Sequence, residues 1–503
     1  MNLYIRADAD GKIGAGHVMR CIALAQGWQY QGGTVTFISH CESNAIKDRI
    51  LQEGFQFIAI DNPHPHPDDL SRTLKFLKQP SDVNLHPSEA WLVLDGYHFT
   101  PAYQKAIREA GIHLLVIDDM NHLSCYHADI LLNQNIYAPE LKYHCDDDTT
   151  LLLGTRYVLL RKEFLKYGNF NHQIPERARN ILVTLGGADP DNVTLKVIEA
   201  LKLLGDQDIE VKIVIGPANS HRETLSRSLS ATNLEAEFLP DPPNMPELMA
   251  WADMAISAGG STCWELAFMG LPSLIVLLAE NQGALVDHTV RQQAAVSLGW
   301  HDRLADEQLC HKVKLLIHGQ ALRKTISVNA SPLIDGQGAF RVTKVMTGRL
   351  ITMRQVTQDD CDLIWQWSNE NETRKASYSN ESISWDEHVR WFKEKLGDAN
   401  HVFFIALNER GKPVGQIRYA INDNKATVSV SIAPKSRSLG YGSELLTVAA
   451  KKLFDETEVD EILAYIKEGN TVSLKAFQKA GFILTEERYF QGIKSQKYIL
   501  RKK

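Results

Sequence analysis

Cysteine is scarce: seven in 503 residues, at positions 21, 41, 125, 145, 263, 310 and 361. The number is odd and no Cys-x-x-Cys pair occurs, which argues against a disulfide framework and against a zinc knuckle. Basic charge is not in excess, with 54 Lys+Arg against 61 Asp+Glu and a formal net charge of -7. A nucleic-acid polyanion is therefore not an expected partner. A small anion remains possible, because backbone donors bind phosphate whatever the net charge. No run of 18 apolar residues occurs, so no membrane span is expected. The opening MNLYIRADADG carries acids where a secretion signal needs a basic segment and an apolar run. A reducing cytoplasm is the expected location. There is no P-loop lysine motif, which removes ATP hydrolysis of that kind. There is also no Asp-x-Asp with supporting partners, so no metal is expected. The nearest acidic pair is Asp118–Asp119, for which a cap or a buried network is an equal reading.

What is present is an ordinary globular composition, 44% hydrophobic and 23% charged. The length suggests about three domains. Residues 1–165 alternate short apolar runs (Leu3–Arg6, Val35–Ser39, Gln56–Ile60, Trp91–Asp95, Leu114–Asp118) with amphipathic stretches such as Val18–Gln31 and Pro101–Ala110. That rhythm predicts βαβ units on a parallel sheet. It restarts in residues 166–345, with strands expected at Ile181–Leu185, Val211–Ile215, Ala236–Leu239, Met254–Ser257 and Ser273–Leu277, and Lys162–Arg177 as the link. The expected fold class is α/β: two doubly wound, Rossmann-like domains with ligands at the carboxyl ends of their strands. A third unit, 350–503, has a different order. A strand and a helix-rich stretch (Asp359–Leu396) precede an antiparallel meander at His401–Leu407, Val414–Ile421 and Lys425–Ile432. Helices at Gly442–Phe454 and Thr471–Ala480 then flank a strand at Glu461–Ile466, before a final strand pair. No repeat relates the three parts.

Candidate chemistry sits where strands run into helices. In RADADGKIGAGHVMRC, Gly14 and Gly16 precede a helix that begins near His17. Glycine permits close backbone approach, and a helix start offers N–H groups to a phosphate or a sugar oxygen. His17 suits a general base because imidazole titrates near neutrality. Arg6 and Asp8 share that strand end, where a cap role is an even alternative. Three further signals follow. LGGADPDN places Gly186 and Gly187 after a strand, with Asp191 and Asn192 as possible helix caps. SAGGSTCWELAFMG offers Gly259, Gly260, Ser261 and Thr262 to a diphosphate, and Glu265 to a ribose. LLAENQ brings Asn281 and Gln282, which can donate and accept at a sugar or phosphate.

These strings, with VLDGY at 93–97 and VIDDM at 116–120, resemble the UDP-sugar hydrolase of pseudaminic acid biosynthesis over roughly residues 1–340. That family has the two-domain GT-B fold. The resemblance implies removal of UDP from an acetylated amino sugar by water attack at the anomeric carbon, with inversion and without metal. It implies that His17 is the base, that Gly260, Ser261, Thr262 and Glu265 hold UDP, that Asn281 and Gln282 touch substrate or diphosphate, and that Tyr97 lines the sugar site. Gly96 stands where the family pattern has a serine.

The third unit carries Arg-x-x-Gly-x-Gly at Arg437, Gly440 and Gly442, between a strand and a helix, a turn whose N–H groups can cradle a pyrophosphate. About 30 residues on comes NTVSLKAFQKAGF, with Asn470, Ser473, Phe477, Gly481 and Phe482. This pairing resembles the GCN5-related N-acetyltransferases. The resemblance implies acetyl-CoA as cosubstrate. Main-chain groups of Val430 to Ile432 would meet pantetheine, Arg437, Gly440, Tyr441, Gly442 and Ser443 the pyrophosphate, and Asn470 the CoA. Phe477 stands where many members have a tyrosine acid, leaving Tyr441, Tyr465 and Ser473 as alternatives. The stretch around Trp367-Ser368-Asn369 resembles the amino-sugar branch of the family, which makes Asn369, Trp385, His388 and Trp391 candidates for a sugar pocket, with core packing as the plain alternative.

The combined expectation is a bifunctional sugar-nucleotide enzyme that acetylates the 4-amino group of a UDP-linked amino sugar and hydrolyses UDP from the product. The alternatives are a GT-B glycosyltransferase with an accessory acetyltransferase, a related legionaminic-type pathway enzyme, or a nucleotide-sugar binding module joined to a protein acetyltransferase.

Overall fold

Leu3, Ile5 and Ala7 are fully buried, each large aliphatic contributing roughly 1.5–3 kcal/mol relative to exposure. They belong to β1 (Asn2–Ala7), which lies at the centre of a parallel sheet. In the computed structural model, which describes residues 2–11, 13–78, 90–205, 208–216, 219–230, 234–240, 242, 244–347, 351–408, 411–437 and 441–502, β1 pairs with β2 (Thr34–Ser39) and with β4 (Ala90–Asp95). β3 (Gln56–Ala59) lies beyond β2, and β5 (His113–Ile117), β6 (Ile130–Asn133) and β7 (Thr150–Leu153) follow β4. The order is β3-β2-β1-β4-β5-β6-β7. The near-continuous Val, Ile and Leu runs fit a parallel sheet whose two faces are both covered by helices.

The second sheet repeats the plan with β8 (Asn180–Thr184), β9 (Glu210–Ile215), β10 (Glu235–Pro240), β11 (Met254–Ala258), β12 (Ser273–Leu277) and β13 (Val296–Trp300), in the order β10-β9-β8-β11-β12-β13. Strand order reverses between β1 and β4 in one sheet and between β8 and β11 in the other. Such switch points open a crevice at the carboxyl ends of the strands. The doubly wound architecture is as expected. Three strands escaped the sequence reading (β6, β7 and β13), the first two being four-residue runs too short to separate from loop.

The chain divides into two compact units, Met1–Thr343 and Lys344–Lys503. The second contains β14 (Ile351–Gln355), β15 (His401–Asn408), β16 (Pro413–Asn422), β17 (Lys425–Ile432), β18 (Glu461–Lys467), β19 (Ile483–Phe490) and β20 (Ile493–Arg501). Their order is β14-β15-β16-β17-β18-β20-β19. β17 pairs with β16 along its whole length. With β18 it pairs only over Lys425–Thr427, after which the two parallel strands part. Ile417 and Tyr419 face the core formed with the Tyr441–Glu456 helix, whereas Phe403 and Ile405 face a second core with Trp367 and Phe392.

Candidate active sites at the strand ends

Both switch points hold the residues that the sequence singles out. The loop after β1 turns at Gly14, whose φ of +73° is left-handed. It is closed by Ile13 N–H and Gly14 N–H donating to Asp10. The Gly16–Tyr30 helix then begins without a side-chain cap, so its first N–H groups face outward.

His17 Nδ1 lies 2.6 Å from Asp95 Oδ1. Asp95 ends β4 and sits directly beside Ala7 of β1. One helical turn after His17, Arg20 grips the same carboxylate, with Nε and Nη2 each 2.6 Å from an oxygen. Its Nη1 donates to both oxygens of Asp119 at 2.9 Å. Burial by itself would raise the Asp95 carboxyl, but the Arg20 and His17 charges and hydrogen bonds outweigh it and hold the group well below the usual carboxylate range. A charged Asp95 fixes the proton of His17 on Nδ1 and leaves the Nε2 lone pair available. The Tyr97 ring meets the His17 ring edge-on at 5.0 Å. Its phenol donates to Asp119 Oδ2 at 2.8 Å and accepts from Asn281 Nδ2 at 3.0 Å. Asp119 is thus part of the cluster, together with Asn135 Nδ2 at 2.9 Å. Asp118 turns away to Tyr126, Tyr143 and the Asn121 N–H.

On the second sheet, Gly186 turns at φ +92° after β8. A Cβ on Gly187 would lie 3.4 Å from Ala15, so the loops after β8 and β1 meet. Gly216 is obligatory for the same packing, since its Cβ would fall 2.3 Å from the Gly187 carbonyl oxygen. After β11, Ser261 caps the Thr262–Phe268 helix without a side-chain bond, and a Cβ on Gly260 would meet nothing within 4 Å. Glu265 is engaged by Arg161, whose Nη2 is 2.9 Å away. Burial raises the Glu265 carboxyl despite that partner. A small pocket of about 20 Å³ is lined by Arg20, Gln134, Arg161, Ser261, Trp264 and Glu265. It thereby joins the His17 helix to the Gly-Gly-Ser-Thr loop. Gln282 Oε1 accepts from the Leu278 N–H at 2.9 Å and so braces its own loop.

Two expectations are corrected here. Arg6 is fully buried and bound by Asp8 and Asp69, with Asp69 also held by Tyr103 at 2.7 Å. It organises the loop from within and has no path to a ligand. The helix Val193–Lys202 is capped by Asp189, which accepts from Val193 N–H at 2.8 Å and Thr194 N–H at 2.9 Å, and not by Asp191 or Asn192. Asn192 takes the left-handed conformation, φ +53°, and makes no side-chain cap bond. Asp95, Arg20 and Arg161 were not singled out in the sequence. The available signals were an acid closing the apolar run WLVLD and an arginine one turn after the histidine.

In the second unit, Ala433 N–H donates to Val414 O on β16. Alternation along a strand therefore turns the N–H groups of Val430 and Ile432 to the opposite side, where β18 has departed. The Ile432 carbonyl accepts from Arg437 Nε at 3.3 Å. The rest of the Arg437 guanidinium is bound by Glu370 at 2.6 Å and Thr373 at 2.8 Å, and the Arg437 hydrogen bond holds the Glu370 carboxyl down at about 2. Gly440 lies outside the described residues. Tyr441 and Gly442 open the helix that Ser443 continues. Asn470 caps the Thr471–Lys479 helix through Ser473 N–H at 3.1 Å. Phe477 is buried against Phe482, and Tyr465 stacks on Phe490 at 4.1 Å. Two sugar-pocket candidates turn out to be structural. Asn369 clasps both backbone groups of Ile383, at 2.7 and 2.9 Å. His388 is buried and hydrogen-bonds the Cys361 carbonyl at 2.9 Å. Trp385 packs edge-on against Trp365 at 5.4 Å.

Residues 180–322 match the model of the glycosyltransferase family 28 C-terminal domain, and residues 350–483 that of the acetyltransferase (GNAT) domain. Over 97% of its length the chain is 25% identical to an uncharacterized protein of Methanocaldococcus jannaschii, covering 98% of that protein. Over 56% of its length it is 24% identical to the UDP-2,4-diacetamido-2,4,6-trideoxy-beta-L-altropyranose hydrolase of Campylobacter jejuni, covering 93% of it. Over 28% it is 23% identical to acetyltransferase PseH, also of Campylobacter jejuni, covering 87% of that protein. The chain is an enzyme, similar over residues 180–322 to the glycosyltransferase family 28 C-terminal domain and over residues 350–483 to the GNAT acetyltransferase domain.

Proposed function

We propose that the chain carries out two consecutive steps on one UDP-linked amino sugar of the pseudaminic acid type. In the second unit the 4-amino nitrogen attacks the acetyl-CoA thioester carbonyl, the amide forms and the CoA thiolate leaves. The split between β17 and β18, with the N–H groups of Val430 and Ile432 turned toward it, suits an extended pantetheine arm. Phe477 has no proton to give, so the thiolate takes its proton from solvent or from a neighbouring hydroxyl.

In the first unit, a water held by His17 Nε2 attacks the anomeric carbon of the acetylated product. His17 takes the proton, the C–O bond to the diphosphate breaks, and UDP leaves with the electron pair. Gly260, Ser261 and Thr262 would receive the diphosphate through helix-start N–H groups. Arg161 and Glu265, which border the small pocket, would flank the rest of the nucleotide. Asp95 and Arg20 are positioning residues, since they act through the His17 imidazole. The observation that carries the reading is the His17–Asp95 pair at the β1/β4 switch point, whose shared partner Arg20 lines the same small pocket as Ser261. Among the described residues no helix is long and apolar enough to cross a membrane.

The test follows free thiol, UDP and the anomeric proton after mixing the protein with acetyl-CoA and the UDP-4-amino sugar. Thiol should appear first, then UDP and a free sugar. His17→Ala should keep thiol release and lower UDP release by roughly 10²-fold or more. UDP release that required an added acceptor would convert the first unit to a glycosyltransferase. Loss of both products in His17→Ala would end the two-site scheme.

A further inference from the structure

Arg418 lies in the middle of β16, and its side chain points away from the core that Ile417 and Tyr419 enter. Its cross-strand neighbours are Phe403 on β15 and Ser429 on β17, whose side chains share its face. The guanidinium stands over the Trp391 ring at 4.7 Å. Among the described residues it makes no hydrogen bond or ion pair, and burial alone pulls it down to about 10. His388, the titratable group beside it, supplies no compensation. Burial first, and the charge of Arg418 after it, keep that imidazole below its ordinary value. Two residues along the same face, the Gln416 side-chain oxygen is buried without a partner. Ser429, directly across, is exposed, so the face is open at this point.

Arg418 keeps part of its surface in water, and a cation drawn even partly out of water without a counter-charge is disfavoured. Arg6 and Arg20 are matched by carboxylates, and the buried Arg323 by backbone carbonyls, whereas Arg418 has neither among the described residues. Arg418 is one strand in from the β17/β18 split, at the register just past the last β17–β18 pair, Thr427–Leu463. The missing counter-charge is therefore best placed on a molecule that reaches the sheet near the acetyl group. A guanidinium matches a phosphate with two parallel hydrogen bonds, and the Trp391 ring beneath holds its plane.

We propose that Arg418 is the anchor for a phosphate of the acetyl acceptor, and so selects a nucleotide-linked sugar over a free one. This rests on the acetyl-transfer reading above. The experiment uses the full-length protein and measures thiol release with the UDP-4-amino sugar and with the same amino sugar lacking UDP. Arg418→Gln should raise KM for the nucleotide sugar roughly 10- to 100-fold, the worth of a charged hydrogen-bond pair, with KM for acetyl-CoA nearly unchanged. Arg418→Lys should recover part of the loss, and with the UDP-free sugar the wild type and Arg418→Gln should perform alike. CoA titration and thermal unfolding report whether the variant is folded. If Arg418→Gln does not fold, Arg418→Lys carries the same comparison with a smaller shift. An unchanged KM for the nucleotide sugar, or a shift confined to acetyl-CoA, overturns the assignment. A wild type that releases no thiol with the UDP-4-amino sugar overturns the acetyl-transfer reading itself, and the two failures are thereby distinct.

Discussion

In the proposed hydrolysis His17 acts as a base only if its tautomer is fixed, and Asp95 is the group placed to fix it. Removing the charge while keeping the shape isolates the effect. Asp95→Asn should lower UDP release by roughly 10²-fold or more while thiol release stays at the wild-type rate. The same substitution leaves Arg20 with half its counter-charge, at a cost of roughly 3 kcal/mol in a buried pair. The pH sign follows from the lowered folded-state pKa of Asp95. Its stabilisation is complete above the ordinary aspartate range near about pH 4 and is lost as pH falls through the folded value. Thermal unfolding from pH 7 down to strongly acidic solution should therefore show a shallower acid decline in Asp95→Asn than in the wild type. A parallel decline in both would mean that Asp95 is not held ionised. His17 and its glycine loop were legible in the sequence because strand, glycine and helix start are contiguous. Asp95 and Arg20 were not, because they meet His17 only when β4 comes to lie beside β1. Arg6 was misread for the converse reason: a strand-end arginine looks available until Asp69, 63 residues away, is found against it.

The strands of all three sheets were legible where an apolar run exceeds four residues. Ser273–Leu277 and Lys425–Ile432 coincide with the observed elements, since Val, Ile and Leu at successive or alternate positions leave little choice of register. What no local pattern announces is that β17 and β18 part after Thr427. A parting of strands is a tertiary event, and its signature is unpaired main chain. Proline removes a donor without removing a strand position on an unpaired side. Val430→Pro should accordingly raise KM for acetyl-CoA several-fold, by the worth of one hydrogen bond, with the far-ultraviolet circular dichroism preserved. UDP release from a pre-acetylated substrate should be untouched. If UDP release falls in step with thiol release, the effect is on folding and not on the cosubstrate.

Two compact units with separate strand-end sites should behave as separate machines. The double variant His17→Ala/Arg418→Gln should show each single defect undiminished, within roughly 0.3–0.5 kcal/mol of the additivity expected of independent sites. Initial rates of thiol and UDP release, measured with the appropriate substrate for each step, provide the comparison. A marked departure from additivity would show that one reaction governs the other beyond supplying its substrate. The net charge of -7 fits this division: the proposed anion sites rely on helix starts, glycine loops and single arginines set locally, and a mildly acidic exterior leaves them unaffected.

The contact of Gly187 with Ala15 has a thermodynamic corollary. The glycine loop after β8, which borders the proposed nucleotide side, leans on Ala15, the residue just before the His17 helix. A ligand that shifts either loop must therefore do work on the other, and by reciprocity the free energies of nucleotide and sugar binding cannot be independent. Titrating UDP in the presence and absence of the free diacetamido sugar should give two dissociation constants whose ratio equals that obtained when the order of addition is reversed. Departure of either molecule then changes the affinity at which the other is still held.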